Sequence, residues 1–335
     1  MCKHLLLSAA VFALALPCGA VAAPVEAPPT LVTQWRTEGD RLPTDFFAVS
    51  PNKLYLADQS QAGTAWTLQH SLLFGFTTVN PITNDKADLY DVAVAPDGRI
   101  YAVDIPPSGG NPGRLWRFAS DGSRIGSSPL GTTLIGNALA LLNPETLLLA
   151  VFNGSTNAFA RLQLDGTVLG PWGPSFPAGL TQQGVDIAVS PTGDVFVSDG
   201  LGDRVLKFDP AGNQLLTWGH FGTGEGEFDM PGGIAVDEFG NVYVADYGNN
   251  RVQKFTADGQ FLVLWGGPCN LFPCSALSVQ EPSAIACLPG NLVVVGSHAR
   301  NSFNAPISVV KVFQAAGVPT TVKGVTWGRL KASYR

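Results

Sequence analysis

The sequence predicts an all-β fold, a six-bladed β-propeller of four-stranded antiparallel blades, and three observations carry that expectation. Residues 187–219 recur 47 positions later as residues 234–266 without a gap, so that Asp199 and Asp246, Arg204 and Arg251, Phe208 and Phe255, and Trp218 and Trp265 keep one offset. A fixed period of this size marks a solenoid or a propeller. Each unit also divides into four short apolar segments separated by Gly, Asn and Asp clusters, the pattern of hairpin-linked strands. Finally, the core of an inner strand recurs six times at spacings of 45 to 51 residues.

These inner-strand cores are Phe47-Ala48-Val49, Val92-Ala93-Val94, Leu139-Ala140-Leu141, Ile187-Ala188-Val189, Ile234-Ala235-Val236 and Ile285-Ala286-Cys287. In the fifth unit the remaining strands read Val242 to Ala245, Val252 to Phe255 and Phe261 to Trp265, with turns at Glu238 to Asn241, Tyr247 to Asn250 and Asp258-Gly259. A lone four-stranded sheet buries too little surface, so such units stack radially. The third unit (143–150) and the sixth (290–296) are degenerate and lack the Asp that ends the second strand. Ring closure is open at this level, because Leu31 to Trp35 and Val325 to Gly328 both read as outermost strands.

The segments Pro231 to Asp237, Gly240 to Asp246 and Gly248 to Phe255 resemble the NHL repeat almost residue for residue, and Trp218-Gly219, Gly222, Gly224, Gly226 and Phe228 resemble its inter-blade linker. The resemblance is specific over residues 182–266 and weaker over the rest of 31–328. It implies an NHL-like propeller, a class that holds RNA- and protein-binding domains, bacterial sensor domains and zinc-dependent peptide-amidating lyases. The fold alone therefore does not choose among functions.

Composition suits one turn-dense secreted domain. Charged residues are 14% of the chain, Gly numbers 38 and Pro 25, and the formal net charge is −6. An acidic chain without a basic cluster argues against nucleic acid as a partner. Residues 1–22 read as a signal peptide: Lys3 and His4, an apolar run from Leu5 to Leu16, and Ala20-Val21-Ala22 as the cleavage site. That run is too short for a transmembrane segment. Cys18 raises lipid attachment, against which Pro17 argues. Residues 23–30 form an extended lead-in and residues 31–335 the propeller, expected to be a secreted or periplasmic monomer.

Of the cysteines beyond the leader, Cys269 and Cys274 flank a short loop and are the natural disulfide in an oxidising compartment, worth about 2 kcal/mol. Cys287, on an inner strand, is expected to be a buried small hydrophobe. The repeated Asp58, Asp104, Asp199 and Asp246 invite a catalytic reading, but Arg204 and Arg251 follow two of them at one spacing, and a repeated charge-assisted pair is scaffold.

Residues at the start of the inner strands converge on the central channel. Alignment of the units places Asp45, Tyr90 with Asp91, Asn137, Asp186, Gly232 with Gly233, and Ser283 there. Such an oxygen-rich set could bind a polar ligand or hold a hard cation such as Ca²⁺, or form only a solvated acidic mouth. The amidating lyases carry zinc-binding His at the position of Gly232, and none of the six matching positions is His. His70, His220 and His298 fall in different layers. A gluconolactonase-type site would instead use Asn137 and the channel carboxylates.

Two functions follow. The first is a binding or scaffold module for a protein, peptide or glycan, with Trp66, Phe74, Phe76, Trp172 and Phe176 as contact candidates. The second is a metal-dependent hydrolase or lyase working at the acidic channel.

Overall fold

In a computed structural model, residues 26–37, 42–50, 53–59, 67–72, 75–81, 88–105, 113–130, 135–152, 157–176, 185–267, 275–300 and 306–315 are described. The chain is all-β. The strand β1 (Thr30–Thr37) is followed by β2 (Leu42–Ser50), β3 (Lys53–Gln59), β4 (Thr67–Leu72) and β5 (Gly75–Pro81). The next sheet holds β6 (Asp88–Val94), β7 (Ile100–Ile105), β8 (Arg114–Phe118) and β9 (Arg124–Pro129). After it come β10 (Ile135–Asn143), β11 (Thr146–Phe152), β12 (Asn157–Gln163) and β13 (Val168–Phe176). The repeated pair of units forms β14 (Val185–Val189), β15 (Val195–Asp199), β16 (Arg204–Phe208) and β17 (Gln214–Trp218), then β18 (Pro231–Val236), β19 (Val242–Asp246), β20 (Arg251–Phe255) and β21 (Phe261–Gly266). The last sheet has β22 (Pro282–Leu288), β23 (Leu292–Arg300) and β24 (Pro306–Gln314).

Ring closure is settled by β1, which pairs antiparallel with β24 from Thr30 against Gln314 to Thr37 against Ser308. The start of the chain thereby supplies the outer strand of its last sheet, in the order β1-β24-β23-β22. Residues Val325 to Gly328 lie outside the described residues. The degenerate third and sixth units still form β11 and β23, because alternating apolar residues suffice for pairing.

The expectation of a six-bladed propeller is corrected. Five blades, those built on β6, β10, β14, β18 and β22, are found with their side chains packed into cores. The strands β2–β5 pair as a sheet whose backbone alone is described, with β2 lying between β6 and β22. The physical reason for the difference is that the first unit repeats the signature most loosely, with a Pro51-Asn52-Lys53 turn where the β6, β14 and β18 blades place a Gly of positive φ (Gly98, Gly193 and Gly240).

The cores lie between blades. Val197, Leu206 and Phe208 of one blade meet Ala138, Leu148 and Phe159 of its neighbour, and Val244 and Phe255 meet Phe196 and Val205. Rings repeat this contact at three successive steps. Trp172 stands edge-on to Phe159 at 5.7 Å and to Phe208 of the next blade at 5.6 Å. Trp218 lies 6.2 Å from Phe196 and 5.8 Å from Phe255, and Trp265 lies 6.2 Å from Tyr243 and 5.7 Å from Phe313. Each such pair contributes about 0.5–1.5 kcal/mol beyond area burial.

Turn chemistry fixes register. In the β18–β19 turn Asp237 accepts hydrogen bonds from Phe239 N (2.9 Å) and Asn241 N (2.8 Å), and Gly240 takes the left-handed conformation at φ 86°. Gly233 is required for another reason: a Cβ there would stand 2.7 Å from Ser283 O and 3.0 Å from Ile285 N, both backbone atoms of the next inner strand. Gly233→Ala is expected to cost about 1–3 kcal/mol, measured by urea denaturation; an unchanged midpoint would show that β18 and β22 are farther apart.

Candidate functional site

Every residue proposed for the channel maps to an innermost strand: Asp45 to β2, Tyr90 and Asp91 to β6, Asn137 to β10, Asp186 to β14, Gly232 and Gly233 to β18, and Ser283 to β22. These strands neighbour one another in a closed cycle around the hub. The side chains of Asp45, Tyr90 and Asn137 lie outside the described residues, whereas those of Asp91, Asp186 and Ser283 are described. Cys269 and Cys274 also lie outside them.

What Asp91 and Asp186 do is specific. One oxygen of Asp91 accepts from its neighbour Val92 N at 2.6 Å and the other from Leu139 N of the next blade at 2.6 Å. Asp186 repeats the arrangement two blades on, accepting from Ile187 N at 2.7 Å and from Ile234 N at 2.9 Å. Both reach 48 residues ahead, so each carboxylate ties one inner strand to the following one. The β10, β18 and β22 blades carry Ala138, Gly233 and Ala284 at the matching place. At Gly233 the backbones approach directly and leave no room for a carboxylate.

Burial pushes the Asp91 carboxyl well above the usual carboxylate range, and repulsion from Asp186 adds to it; the hydrogen bonds from Leu139 and Val92 oppose the shift. A backbone amide can hold only part of the charge that water would have solvated. The two carboxylates therefore act on each other across the hub.

The Asp at the end of the second strand is a scaffold group, as the repeat spacing implied. Asp246, fully buried, meets Arg251 Nε at 2.7 Å; Asp199 meets Arg204 Nε at 2.8 Å. Asp104 instead accepts from Arg114 N (2.6 Å) and Trp116 Nε1 (2.7 Å). Burial outweighs these contacts at Asp246 and raises its carboxyl. Arg251 goes further, donating to Thr223 O, Gly224 O and Glu227 O of the inter-blade linker at 2.6–2.8 Å. Gln253 adds a bond to Glu227 O at 2.7 Å and accepts from Gly226 N at 2.9 Å. This linker support was not drawn from the sequence, although Arg251 and Gln253 alternate toward one side of a strand.

The contact candidates need correction. Trp172 is 4% exposed, with its indole N–H donated to Pro210 O at 3.1 Å, and is inter-blade packing. Trp66 and Phe74 lie outside the described residues, as do the side chains of Phe76 and Phe176. An aromatic that is open is Phe221 of the linker, 70% exposed, on the same face as Leu201 (48%) and Met230 (38%). These three share a face because, in an antiparallel blade, the loop between second and third strands and the linker between blades emerge at one end.

His70 lies in β4, His220 in the linker 3.4 Å from Glu227, and His298 in β23. Among the described residues no group of three or more His, Cys, Asp or Glu side chains is arranged to hold a metal ion. Cys287 is half-buried and free; burial, then the charge of Asp237, pushes its thiol well up. Among the described residues, no helix is long and apolar enough to cross a membrane.

Radial four-stranded sheets with hub-facing inner strands define a β-propeller. The NHL repeat model matches residues 228–255, so the chain carries an NHL repeat within that propeller. No curated protein matches the sequence. Among solved structures it is similar to virginiamycin B lyase from Staphylococcus aureus (14% identity, 85% of this chain and 99% of that one, TM-score 0.53). It is similar as well to a PQQ-bound aldose sugar dehydrogenase from Streptomyces coelicolor (15%, 87% and 100%, 0.54) and to a luciferin-regenerating enzyme (13%, 87% and 98%, 0.56). Identities this low establish the shared fold alone.

The raised Asp91 carboxyl gives a pH dependence with a definite sign. A group that holds its proton more tightly when folded favours folding below its ordinary value of about 3.9, and the contribution is lost as pH rises through the folded value. The stability of the wild type relative to Asp91→Asn should therefore fall as pH rises above about 4 in urea titrations. A constant difference would contradict the assignment. Asp186→Ala leaves two inner-strand N–H groups unpaired and is expected to cost about 1–3 kcal/mol; a change within the error of the same titrations would count against the tie.

Proposed function

We propose that the protein is a binding or scaffold module that engages a protein, peptide or glycan with the linker face of its propeller. The observation that carries this reading is the linker of residues 219–230: Arg251, Gln253 and Asn249 hold its backbone from beneath while Phe221 projects into solvent. An aromatic displayed on a stiff loop spends little conformational entropy on binding. A secreted or periplasmic setting belongs to the same proposal and rests on the amino-terminal segment.

A metal-dependent hydrolase or lyase at the hub is the second reading, favoured by the mutual influence of Asp91 and Asp186. It requires those carboxylates to turn away from the amides of Leu139 and Ile234, which weighs toward the binding role. Under that alternative, elemental analysis finds a stoichiometric divalent ion that is lost from the Asp91→Ala, Asp186→Ala protein.

Immobilised wild type and Phe221→Ser should be compared against native extracellular or periplasmic extract. A species held by the wild type and reduced roughly tenfold or more by the substitution, with the melting temperature unchanged, supports the proposal. Equal retention by both proteins would overturn it.

A further inference from the structure

A cleft of about 210 Å³ opens between the β6 and β10 blades, lined by Arg99, Tyr101, Arg117, Phe118, Ile125, Leu164 and Asp165. It lies at the hairpin-turn end of the blades, opposite the linker face, and is independent of the proposed binding surface. Two polar atoms of its wall are buried and have no hydrogen-bond partner among the described residues: the Tyr101 hydroxyl and Arg117 Nε. Tyr101 is 1% exposed. The charges of Arg99, Asp97 and Arg117 all reach its phenol, but Arg99 is committed to Asp97 at 2.6 Å. Asp165 is committed to Thr167 N at 2.8 Å; the charge of Arg117 reaches it, without an ion-pair contact among the described residues.

The repeat itself says what these atoms lack. Tyr243 and Lys254 pair across β19 and β20 as Tyr101 and Arg117 do across β7 and β8. In the β18 blade the Tyr243 hydroxyl donates to Asp237 Oδ2 at 3.1 Å, and Lys254 Nζ meets Glu26 Oε2 at 2.6 Å. In the β14 blade the matching Lys207 meets Asp194 Oδ2 at 3.2 Å. Carboxylate oxygens thus satisfy this position in the β14 and β18 blades. In the β6 blade, Ala95 stands where Asp237 would be, and Arg117 has no counterpart of Glu26 or Asp194 among the described residues.

From the orphaned Tyr101 hydroxyl and Arg117 Nε, and from the carboxylates that fill the sister positions, we infer that this cleft binds a free small organic carboxylate with a compact apolar body. One carboxylate oxygen accepts from the Tyr101 hydroxyl and the other from Arg117, a charge-assisted pair. The apolar body lies on Phe118, Leu164 and Ile125, the last 56% exposed at the outer lip. Arg117, whose Nε has no hydrogen-bond partner among the described residues, swings to admit the ligand. The volume exceeds the roughly 150 Å³ of a cavity that takes up benzene, which suits a single-ring acid.

Benzoate titrated calorimetrically into the full chain tests this, with benzamide as the uncharged match and N-acetyl-alanyl-alanine as a peptide end. Saturable binding of benzoate, no binding of benzamide, and weakening of about tenfold or more in both Tyr101→Phe and Arg117→Gln are expected. Ala95→Asp, which restores the acceptor found in the β18 blade, should abolish binding and raise the melting temperature. Circular dichroism confirms that each variant is folded, and Tyr101→Phe, which deletes only the orphaned hydroxyl, keeps the test open if Arg117→Gln is not. Absence of saturable benzoate binding, equal binding by Tyr101→Phe, or tighter binding of the peptide end would overturn the inference.

Discussion

Packing between neighbouring blades is the constraint from which the rest of this structure follows. At the β10–β14 and β14–β18 boundaries the apolar face of one sheet is covered by the next. Trp172, Trp218 and Trp265 repeat that cover, each ring placed between an aromatic of its own blade and a Phe of its neighbour. A ring assembled this way has to close, and the pairing of β1 with β24 closes it by making the first strand of the chain part of its last sheet. The lead-in adds to the closure, since Glu26 N bonds Leu262 O at 3.0 Å and its carboxylate receives Lys254.

At the hub the same constraint is met with polar groups. The inner strands at Gly233 run too near for a side chain, and inner-strand amides need acceptors. Asp91 and Asp186 supply acceptors at two steps, while the Gly233 step has no space for one. The channel carboxylates are thus explained by the architecture before any ligand is invoked. Farther out, Asp246 and Arg251 turn a buried ion pair into a support for the linker, and so connect scaffold to display surface.

Much of this was legible in the sequence, because a propeller repeats its contacts at the period of its residues. The 47-residue offset located the strands of the two best units, and the Asp-to-Arg spacing located the pair at the ends of β15 and β19. Blade number was less legible, as the first unit keeps the alternation of the others but little of their turn chemistry. Trp172 was misplaced as a surface contact; it lies close to one period before Trp218 and does the same work, a signal hidden by the irregular pairing of β12 with β13. The inter-blade reach of Asp91 and Asp186 could not be read locally, since their acceptor role depends on a strand 48 residues away. The cleft at Tyr101 became visible only through its difference from Tyr243: the one informative change, Asp to Ala at position 95, is unremarkable until the hydroxyl that it strands is seen.

A double-mutant cycle on Trp218 and Phe255, each changed to Leu and followed by urea denaturation, addresses the dependence on inter-blade packing most directly. Their rings lie 5.8 Å apart across a blade boundary. A coupling energy of about 0.5–1.5 kcal/mol is predicted. Additivity within about 0.3 kcal/mol would contradict the account, because neighbouring blades would then be stable without each other's cover.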